Sequence, residues 1–233
     1  MPSGTWRTIS SEPPELGRCD GLAYALFRPE DEPAPGGVVI IHGADSAKES
    51  HFDFARKLRS HGMASVCFDV RGHGDSDGKL GAGVLDDVAT MASLLPEGPV
   101  ALRGSSMGGW LALAAADRVA AAAVVAICPA TSRGLMRGLE ERRFAFEADY
   151  DRLSLVLATI DLEVAAHDLG ERLLLLHAEG DETVPVDHSR RLHAAAPGSR
   201  YVEAPGGHHR SIQHDDEYQA MSLRFLAKRL QSG

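Results

Sequence analysis

Apolar residues along this chain form short continuous runs, and the stretches between the runs have helical periodicity. A run such as "GVVIIHG" at 37–43 lacks alternation of polar and apolar positions, which predicts a strand buried on both faces. A segment such as 50–62 has apolar residues three and four positions apart and a closing glycine, which predicts an amphipathic helix. Strands are predicted at 5–10, 22–29, 37–43, 63–70, 99–104, 121–130, 172–181 and 199–205. Helices are predicted at 50–62, 84–95, 108–117, 186–198 and 215–230.

The alternation of these strands and helices predicts one domain over residues 1–233 with an α/β fold. Its centre is expected to be a mostly parallel sheet of about eight strands with helices on both faces. The Pro- and Gly-rich stretches at 10–17 and 29–37 are predicted as turns, not as domain boundaries. Ligands of such sheets bind at the carboxyl ends of the strands, so chemistry is expected in the residues that follow each strand.

One segment, 131–171, interrupts the alternation with mixed charges, Met and Phe and without a strand pattern. It is longer than an ordinary crossover, so we expect a small helical insertion over the strand ends, a candidate cap. Its arginines are expected to form a solvated helical face, with the binding of an anionic substrate as the alternative. An exposed apolar cap could equally be a dimer surface, which leaves a homodimer open.

The charge balance and the cysteines narrow the function classes. The formal charge of −9 argues against binding to nucleic acid, which needs a basic face, and gives no reason to expect an anionic membrane as partner. Three widely spaced cysteines, Cys19, Cys67 and Cys128, indicate neither a disulfide framework nor a zinc site. We see no secretion signal and no apolar run near the ~20 residues of a membrane span, and we expect a cytoplasmic protein.

The sequence "GSSMG" at 104–108 fits the pattern Gly-x-Ser-x-Gly with Ser106 at its centre. It follows a predicted strand and precedes a predicted helix, which is the context that a nucleophilic serine on a sharp turn requires. Ser105 lacks this placement, because its flanking positions are Arg103 and Met107. A Gly-rich turn without a catalytic role is the alternative, since short motifs also match by chance.

A nucleophilic serine needs a base, and the base needs an acid that orients it. Asp181 ends a predicted strand, and His208 and His209 lie on the loop after the last predicted strand. The chain order Ser106, Asp181, histidine is the order found where this motif serves catalysis on an α/β sheet. The alternative for Asp181 is an ordinary turn or helix-capping residue.

Taken together, these motifs resemble the α/β-hydrolase superfamily, in particular its serine esterases and lipases, such as small-cap carboxylesterases and dienelactone hydrolases. The resemblance extends from the strand at 37 to the closing helix. "IIHGADSAKES" resembles the family's His-Gly oxyanion loop, "FDVRGHGDSDG" its strand-4 loop, "GSSMGG" its nucleophile elbow, "GDETVP" its acid loop and "PGGHHRS" its histidine loop.

The resemblance implies a catalytic triad of Ser106, His209 and Asp181. In related sequences the histidine stands three residues after the first glycine of its loop, here Gly206, which favours His209 over His208.

The resemblance also implies an oxyanion hole made by the backbone N–H groups of Ala44 and Met107. His42 is implied to brace the oxyanion loop through hydrogen bonds and not to take part in the reaction.

The function that follows from the resemblance is hydrolysis of carboxylic esters with small to medium acyl chains, through an acyl-enzyme. The partner is then a small-molecule ester, and neither a cofactor nor a metal is required. A thioesterase, a peptidase or a C–C bond hydrolase with the same triad is the first alternative. A catalytically inactive binding protein on the same fold is the second, because the fold alone does not establish function.

Overall fold

The computed structural model describes residues 12–29 and 35–231. In these ranges eight strands form a single sheet in the order β1-β2-β4-β3-β5-β6-β7-β8. The strands are β1 Glu15–Cys19, β2 Leu22–Phe27, β3 Gly37–Ile41, β4 Ser65–Phe68, β5 Val100–Ser105, β6 Ala123–Ile127, β7 Leu173–Ala178 and β8 Arg200–Ala204. Only β1–β2 and β2–β4 pair antiparallel, and the other described neighbours pair in parallel. The predicted α/β fold around a mostly parallel sheet is therefore confirmed.

Helices cover both faces of this sheet. Those of the described ranges are α1 Phe52–Ser60, α2 Val84–Ala92, α3 Met107–Ala114, α4 Ser132–Glu140, α5 Tyr150–Thr159, α6 Leu162–Leu169, α7 Asp187–Ala195 and α8 Asp216–Leu230. The core on one face is built with α1 and α8, and the core on the other with α2 to α7. In the part of the chain that is described, no helix has the length and apolarity needed to cross a bilayer.

The central strands are apolar at every position because both faces of the sheet are covered. In β3, Val39 and Ile41 pack on the side of α2 and α3, and Val38 and Ile40 pack on the side of α1 and α8. All four side chains are at most 1% exposed. Apolar burial contributes about 25 cal/mol per Å², so such strands are the main source of stability and hold their carboxyl ends in fixed positions.

The first strand differs from the sequence prediction, because part of β1 was predicted as a turn and that prediction was wrong. β1 lies at the edge of the sheet, where its residues need not be apolar, and Leu16 is 68% exposed. It pairs with β2, and the two strands are connected by Asp20 and Gly21, whose φ angles of 49° and 78° fit a two-residue hairpin turn. The Asp-Gly pair is the sequence signal for this strand. The strand predicted at 5–10 lies outside the described residues.

Two element ends near the strand tips also differ from the prediction. The strand predicted at 172–181 ends at Ala178, where a turn follows in which the Asp181 N–H donates to the Ala178 carbonyl over 3.1 Å. The helix predicted from residue 50 begins as α1 at Phe52, after a 3₁₀ turn at Lys48–His51. Residues 179–181 therefore lie in a turn after β7, and residues 50–51 lie in the 3₁₀ turn that precedes α1.

The candidate cap segment, 131–171, contains α4, α5 and α6 between β6 and β7. Hydrogen bonds join it to the rest of the domain: the Trp110 indole N–H donates to Ser132 Oγ over 2.9 Å, and the Ala145 N–H donates to Asp45 Oδ1 over 2.7 Å. The segment is therefore joined both to α3 and to the loop after β3. That it acts as a cap on substrate stays a prediction.

Candidate active site

Ser106 joins the end of β5 to the first turn of α3. Its φ of 54° and ψ of −120° lie in a region that residues with a side chain seldom adopt. A Cβ atom at Gly104 would lie 2.0 Å from the carbonyl oxygen of Gly108, and one at Gly108 would lie 2.2 Å from that of Ile41. The backbone is too close for a side chain at either glycine. The Gly-x-Ser-x-Gly spacing thus has a steric cause, a sharp strand-to-helix turn with Ser106 at its apex.

Asp181 and His209 meet at the neighbouring strand ends. Asp181 follows β7 and His209 follows β8, and His209 Nδ1 lies 2.7 Å from Asp181 Oδ2. The other carboxylate oxygen, Oδ1, accepts the backbone N–H groups of Thr183 and Val184, each over 2.8 Å. The Asp181 side chain is fully buried and that of His209 is 11% exposed. The carboxylate therefore binds Nδ1 of the imidazole, and Nε2 makes no hydrogen bond within the described ranges.

The protonation state of Asp181 follows from its hydrogen-bond donors. Burial by itself would raise the pKa of this carboxyl, but hydrogen bonds from His177, His209 and the Val184 N–H hold the pKa well below its usual range. His177 Nε2 lies 3.3 Å from Asp181 Oδ2 and 3.0 Å from the Val184 carbonyl, so this nitrogen carries a proton. The sequence analysis assigned no role to His177, because an isolated histidine in an apolar strand gives no signal of its partner.

Ser106 and His209 line the same cavity, of about 140 Å³, together with Gly43 and Ala44. The structure thus brings together the residues predicted as nucleophile and base and the loop predicted to supply an oxyanion-hole donor. His208 is exposed, and its Nδ1 accepts the backbone N–H two residues further along the chain over 3.4 Å. Of the two adjacent histidines, His209 is the one that contacts the carboxylate of Asp181.

The two backbone N–H groups predicted for the oxyanion hole flank Ser106. Met107 follows it directly at the first position of α3, where helix N–H groups have no partner within the helix. Ala44 lines both cavities that Ser106 lines, and the preceding Gly43 is packed so closely that its Cβ position lies 3.2 Å from Ser106 Cβ. Within the described ranges neither N–H donates a hydrogen bond. Both groups are available to a negatively charged oxygen near Ser106.

His42 fixes the shape of the loop that carries Ala44. Its Nδ1 donates to the Gly43 carbonyl over 2.7 Å, and its Nε2 accepts the Val70 N–H over 3.0 Å. Burial lowers the pKa of His42 to about 4, which keeps the ring neutral at pH 7 with one donor and one acceptor nitrogen. The ring connects the loop after β3 to the loop after β4.

Lys48 lies on the same loop and is a buried cation that the sequence analysis missed. Its Nζ lies 2.7 Å from Asp69 Oδ2 and 2.9 Å from Asp75 Oδ2, and the side chain is 5% exposed. Burial would lower the pKa of Lys48, but the hydrogen bonds to the two carboxylates raise it above its usual value. No spacing in the sequence signals this group, because its partners follow a different strand.

Arg103 lies on β5, three residues before Ser106, and is fully buried. Its guanidinium lies 4.0 Å from the centre of the Phe54 ring and donates to the Gln213 carbonyl over 3.0 Å. The Gln213 side chain in turn accepts the Ser105 hydroxyl over 2.6 Å. These contacts join β5 to the loop that carries His209. The sequence prediction used Arg103 only as evidence against Ser105 as the nucleophile, because the motif requires glycine at that position.

A second, larger cavity of about 800 Å³ extends from Ser106 and Ala44 towards α4 and α7. Its wall contains apolar side chains such as Leu135 and Phe144, which suit an acyl chain. The charged side chains in the wall are Arg133, Arg137, Arg143, Arg191 and Glu163.

Within the described ranges, one group of side chains has metal-like spacing: Cys128, Asp181 and His209 offer atoms within 4.8 Å of one another. Burial raises the pKa of the Cys128 thiol, so it carries a proton, whereas a metal requires the thiolate. Asp181 Oδ2 already accepts a hydrogen bond from His209. This donor set does not fit a metal ion, and its chemistry is that of an acid–base pair.

Comparisons with known sequences place this site in context. The family model described as "Serine aminopeptidase, S33" matches residues 32–144. A curated relative is the uncharacterized protein YfhR of Escherichia coli O157:H7, which is 24% identical over 210 residues, covering 83% of this chain and 70% of YfhR.

Solved structures share the fold over nearly the full chain. Est1E from Butyrivibrio proteoclasticus with ferulic acid bound is 21% identical, with a TM-score of 0.72 over 94% of this chain and 100% of Est1E. An esterase from Pyrococcus furiosus is 19% identical, with a TM-score of 0.69 over 97% of this chain and 95% of its own. A monoacylglycerol lipase from Paleococcus ferrophilus is 21% identical, with a TM-score of 0.62 over 94% and 99% of the two chains.

Proposed function

We propose that this chain is a member of the α/β-hydrolase superfamily, whose fold it shares, and within it a serine hydrolase that cleaves carboxylic esters of small to medium acyl groups. The observation that carries the proposal is the 2.7 Å contact between His209 Nδ1 and Asp181 Oδ2, on an imidazole that lines the same cavity as Ser106. A hydroxyl, an imidazole and a carboxylate in this order are the groups that acyl transfer through a serine requires.

In the first half of the reaction, Ser106 Oγ attacks the ester carbonyl carbon while His209 Nε2 accepts the serine proton. Asp181 stabilises the imidazolium and holds its tautomer, and remains a carboxylate throughout. The N–H groups of Ala44 and Met107 donate to the oxyanion, a contribution of about 3–4 kcal/mol per donor by mutational precedent in other enzymes. The C–O bond to the alcohol breaks, and His209 gives the proton to the leaving oxygen.

In the second half, water attacks the acyl-enzyme with His209 as base. The proton from water passes through His209 back to Ser106 Oγ, and the carboxylic acid leaves. No group outside the chain has to supply or remove electrons. The esterase from Pyrococcus furiosus and the monoacylglycerol lipase from Paleococcus ferrophilus share the fold on which these steps are proposed, and Est1E holds ferulic acid.

A peptidase is the second candidate function, because the matching family model is named for serine aminopeptidases. An aminopeptidase has to bind the free ammonium group of its substrate, for which carboxylates are the suitable partners. Of the described residues, four arginines and one carboxylate, that of Glu163, line the larger cavity next to Ser106. This charge disfavours an ammonium group, and we place ester hydrolysis first.

A substrate panel with two serine variants tests the proposal. We expect wild-type protein to hydrolyse nitrophenyl acetate, butyrate and octanoate, and Ser106→Ala to lose about 10⁴-fold or more in kcat, because the nucleophile is absent. Ser93→Ala, which changes an exposed serine whose hydroxyl donates to the nearby Thr90 carbonyl, is the control and should keep turnover. Acyl thioesters and amino-acid nitroanilides in the same panel separate the thioesterase and peptidase alternatives. Turnover by Ser106→Ala at the wild-type rate would rule out this nucleophile.

We extend the proposal to partners and location. The small-molecule ester is the expected partner, and the charge of −9 disfavours nucleic acid and anionic membranes. Leu155 on α5 and Val164 on α6 are 66% and 56% exposed, which keeps a homodimer through the candidate cap as a proposal. We also propose a cytoplasmic location.

A further inference from the structure

The larger cavity beside Ser106 carries an unusual concentration of positive charge. Arg133 and Arg137 lie one turn apart on α4, and Arg191 lies on α7, so guanidinium groups reach the cavity from two separate elements. Glu163 supplies the one carboxylate among the described residues of the wall. The chain as a whole has a formal charge of −9, so this excess of cations is local.

Three of these arginines lack a carboxylate partner in the described part of the chain. Arg143 pairs with Glu141, but among residues 12–29 and 35–231 no carboxylate lies within ion-pair distance of Arg133, Arg137 or Arg191. By contrast, Arg190, next to Arg191, pairs with both Asp187 and Glu203. Unpaired cations that face one cavity repel each other, and an anion between them relieves that repulsion.

A buried polar atom in the same wall also lacks a partner. His188 on α7 is 8% exposed, and its ring hydrogen-bonds the backbone of Ala130, which leaves Nε2 without a partner in the described ranges. Burial, with a smaller contribution from Arg191, lowers the pKa of His188 to about 4. The neutral ring therefore leaves one buried acceptor nitrogen unpaired in the element that carries Arg191.

We propose that the ester substrate carries an anionic group, a carboxylate or a phosphate, which Arg133, Arg137 and Arg191 bind in the cavity that adjoins Ser106. This inference rests on the proposed function and names the substrate class of the same site. The guanidinium fork matches both carboxylate and phosphate oxygens, so the two anions share the recognition chemistry. An anion held between α4 and α7 places the rest of the substrate along the cavity towards Ser106.

Matched pairs of esters measure this preference. The probes are the mono-nitrophenyl esters of succinic, glutaric, adipic and pimelic acid, each compared with the neutral nitrophenyl ester of equal chain length. We expect wild-type kcat/KM to be at least about tenfold higher for the anionic member at one chain length in the series, because charge-assisted hydrogen bonds are stronger than neutral ones. The preference should shrink at 1 M salt, which screens exposed charges.

Two variants and one control assign the preference to these arginines. In Arg133→Gln/Arg137→Gln, and separately in Arg191→Gln, the ratio of anionic to neutral kcat/KM should fall by about fivefold or more. Arg200→Gln is the control. Arg200 is exposed at the start of β8, whereas the site lies beyond the end of that strand, so this variant should keep the wild-type ratio. Competitive inhibition of neutral-ester hydrolysis by glutarate and by propyl phosphate shows which of the two anions is preferred.

The outcomes separate this inference from the proposed function. Hydrolysis of both members of every pair with equal kcat/KM, abolished by Ser106→Ala, would overturn the inference and leave the esterase intact. An anionic preference that persists in all arginine variants would overturn it as well. If no ester is hydrolysed, the proposed function fails, and NMR-detected binding of glutarate to Ser106→Ala, lost in the arginine variants, still decides whether the cavity binds anions.

Discussion

At the scale of single residues, the site depends on a carboxylate with several donors. Asp181 accepts from two backbone N–H groups, from His209 and from the protonated nitrogen of His177. A carboxylate with this many donors stays ionised and cannot rotate, so it fixes the ring of His209 in one orientation. The sequence identified Asp181 by its place after a strand, but not His177, whose contact depends on the turn at 179–181.

The lowered pKa of Asp181 gives stability a defined pH dependence. A carboxyl with a lower pKa in the folded state contributes stability that is complete above its unfolded-state pKa, near 3.9, and is lost as the pH falls towards the folded-state value. We expect the difference in unfolding free energy between wild type and Asp181→Asn to be constant from pH 7 to about pH 5 and to shrink below about pH 4.

Urea unfolding of both proteins at each pH measures this difference. Asp187→Asn, which changes an exposed carboxylate on α7, is the control. A difference that stays the same down to pH 3 would show that Asp181 is not held by the donors described.

At the scale of elements, the site is assembled by the carboxyl ends of β3, β5, β7 and β8. The pattern of apolar runs predicted β3, β5 and β7 because burial on both faces leaves a continuous signal. β8 was predicted as well, although it lies at the edge of the sheet and is only partly buried. The pattern failed for β1, an exposed edge strand whose signal is the Asp-Gly turn at 20–21. It also failed for the contacts of Arg103, since a polar residue inside an apolar strand does not indicate which loop it meets.

We expect Arg103 to act as a positioning residue for the loop that carries His209, because it donates to the Gln213 carbonyl. In Arg103→Met the apolar stem still packs on Phe54, but the hydrogen bond to the Gln213 carbonyl is lost. We expect kcat to fall about tenfold with KM within about twofold, because a loosened histidine affects the chemical step and not binding.

Steady-state kinetics and hydrogen exchange of 205–214 measure the two effects together. Arg103→Lys keeps a donor and should recover part of kcat. Normal kcat in Arg103→Met, or a change confined to KM, would contradict the positioning role.

A buried hydrogen bond joins α4 to α3, in addition to apolar packing between the two helices. Trp110 is 1% exposed, and its indole N–H donates to Ser132 Oγ. Ser132→Ala leaves this buried donor without a partner, so we expect a loss of about 1–3 kcal/mol in unfolding free energy. Ser154→Ala, in an exposed local contact on α5, should change stability by less than about 0.5 kcal/mol. Equal stability of both variants in urea unfolding would show that this bond does not hold the segment.

At the scale of the whole molecule, the candidate site residues and the wall of the larger cavity come from different regions of the chain. The sheet and its helices carry the site residues, and the segment between β6 and β7 supplies most of the wall of the larger cavity. The sequence predicted the position of this segment by its broken periodicity. It could not predict that three of the segment's arginines and Arg191 face one cavity, because that depends on how α4 and α7 lie against each other.

The central claim is that Ser106 is the nucleophile and that its base and acid are His209 and Asp181. Labelling with a fluorophosphonate, followed by peptide mass spectrometry, tests it most directly. We predict one covalent adduct on Ser106 in wild-type protein, and strongly slowed labelling in a folded His209→Ala variant. An adduct on another residue, or a folded wild-type protein that does not react, would contradict the account.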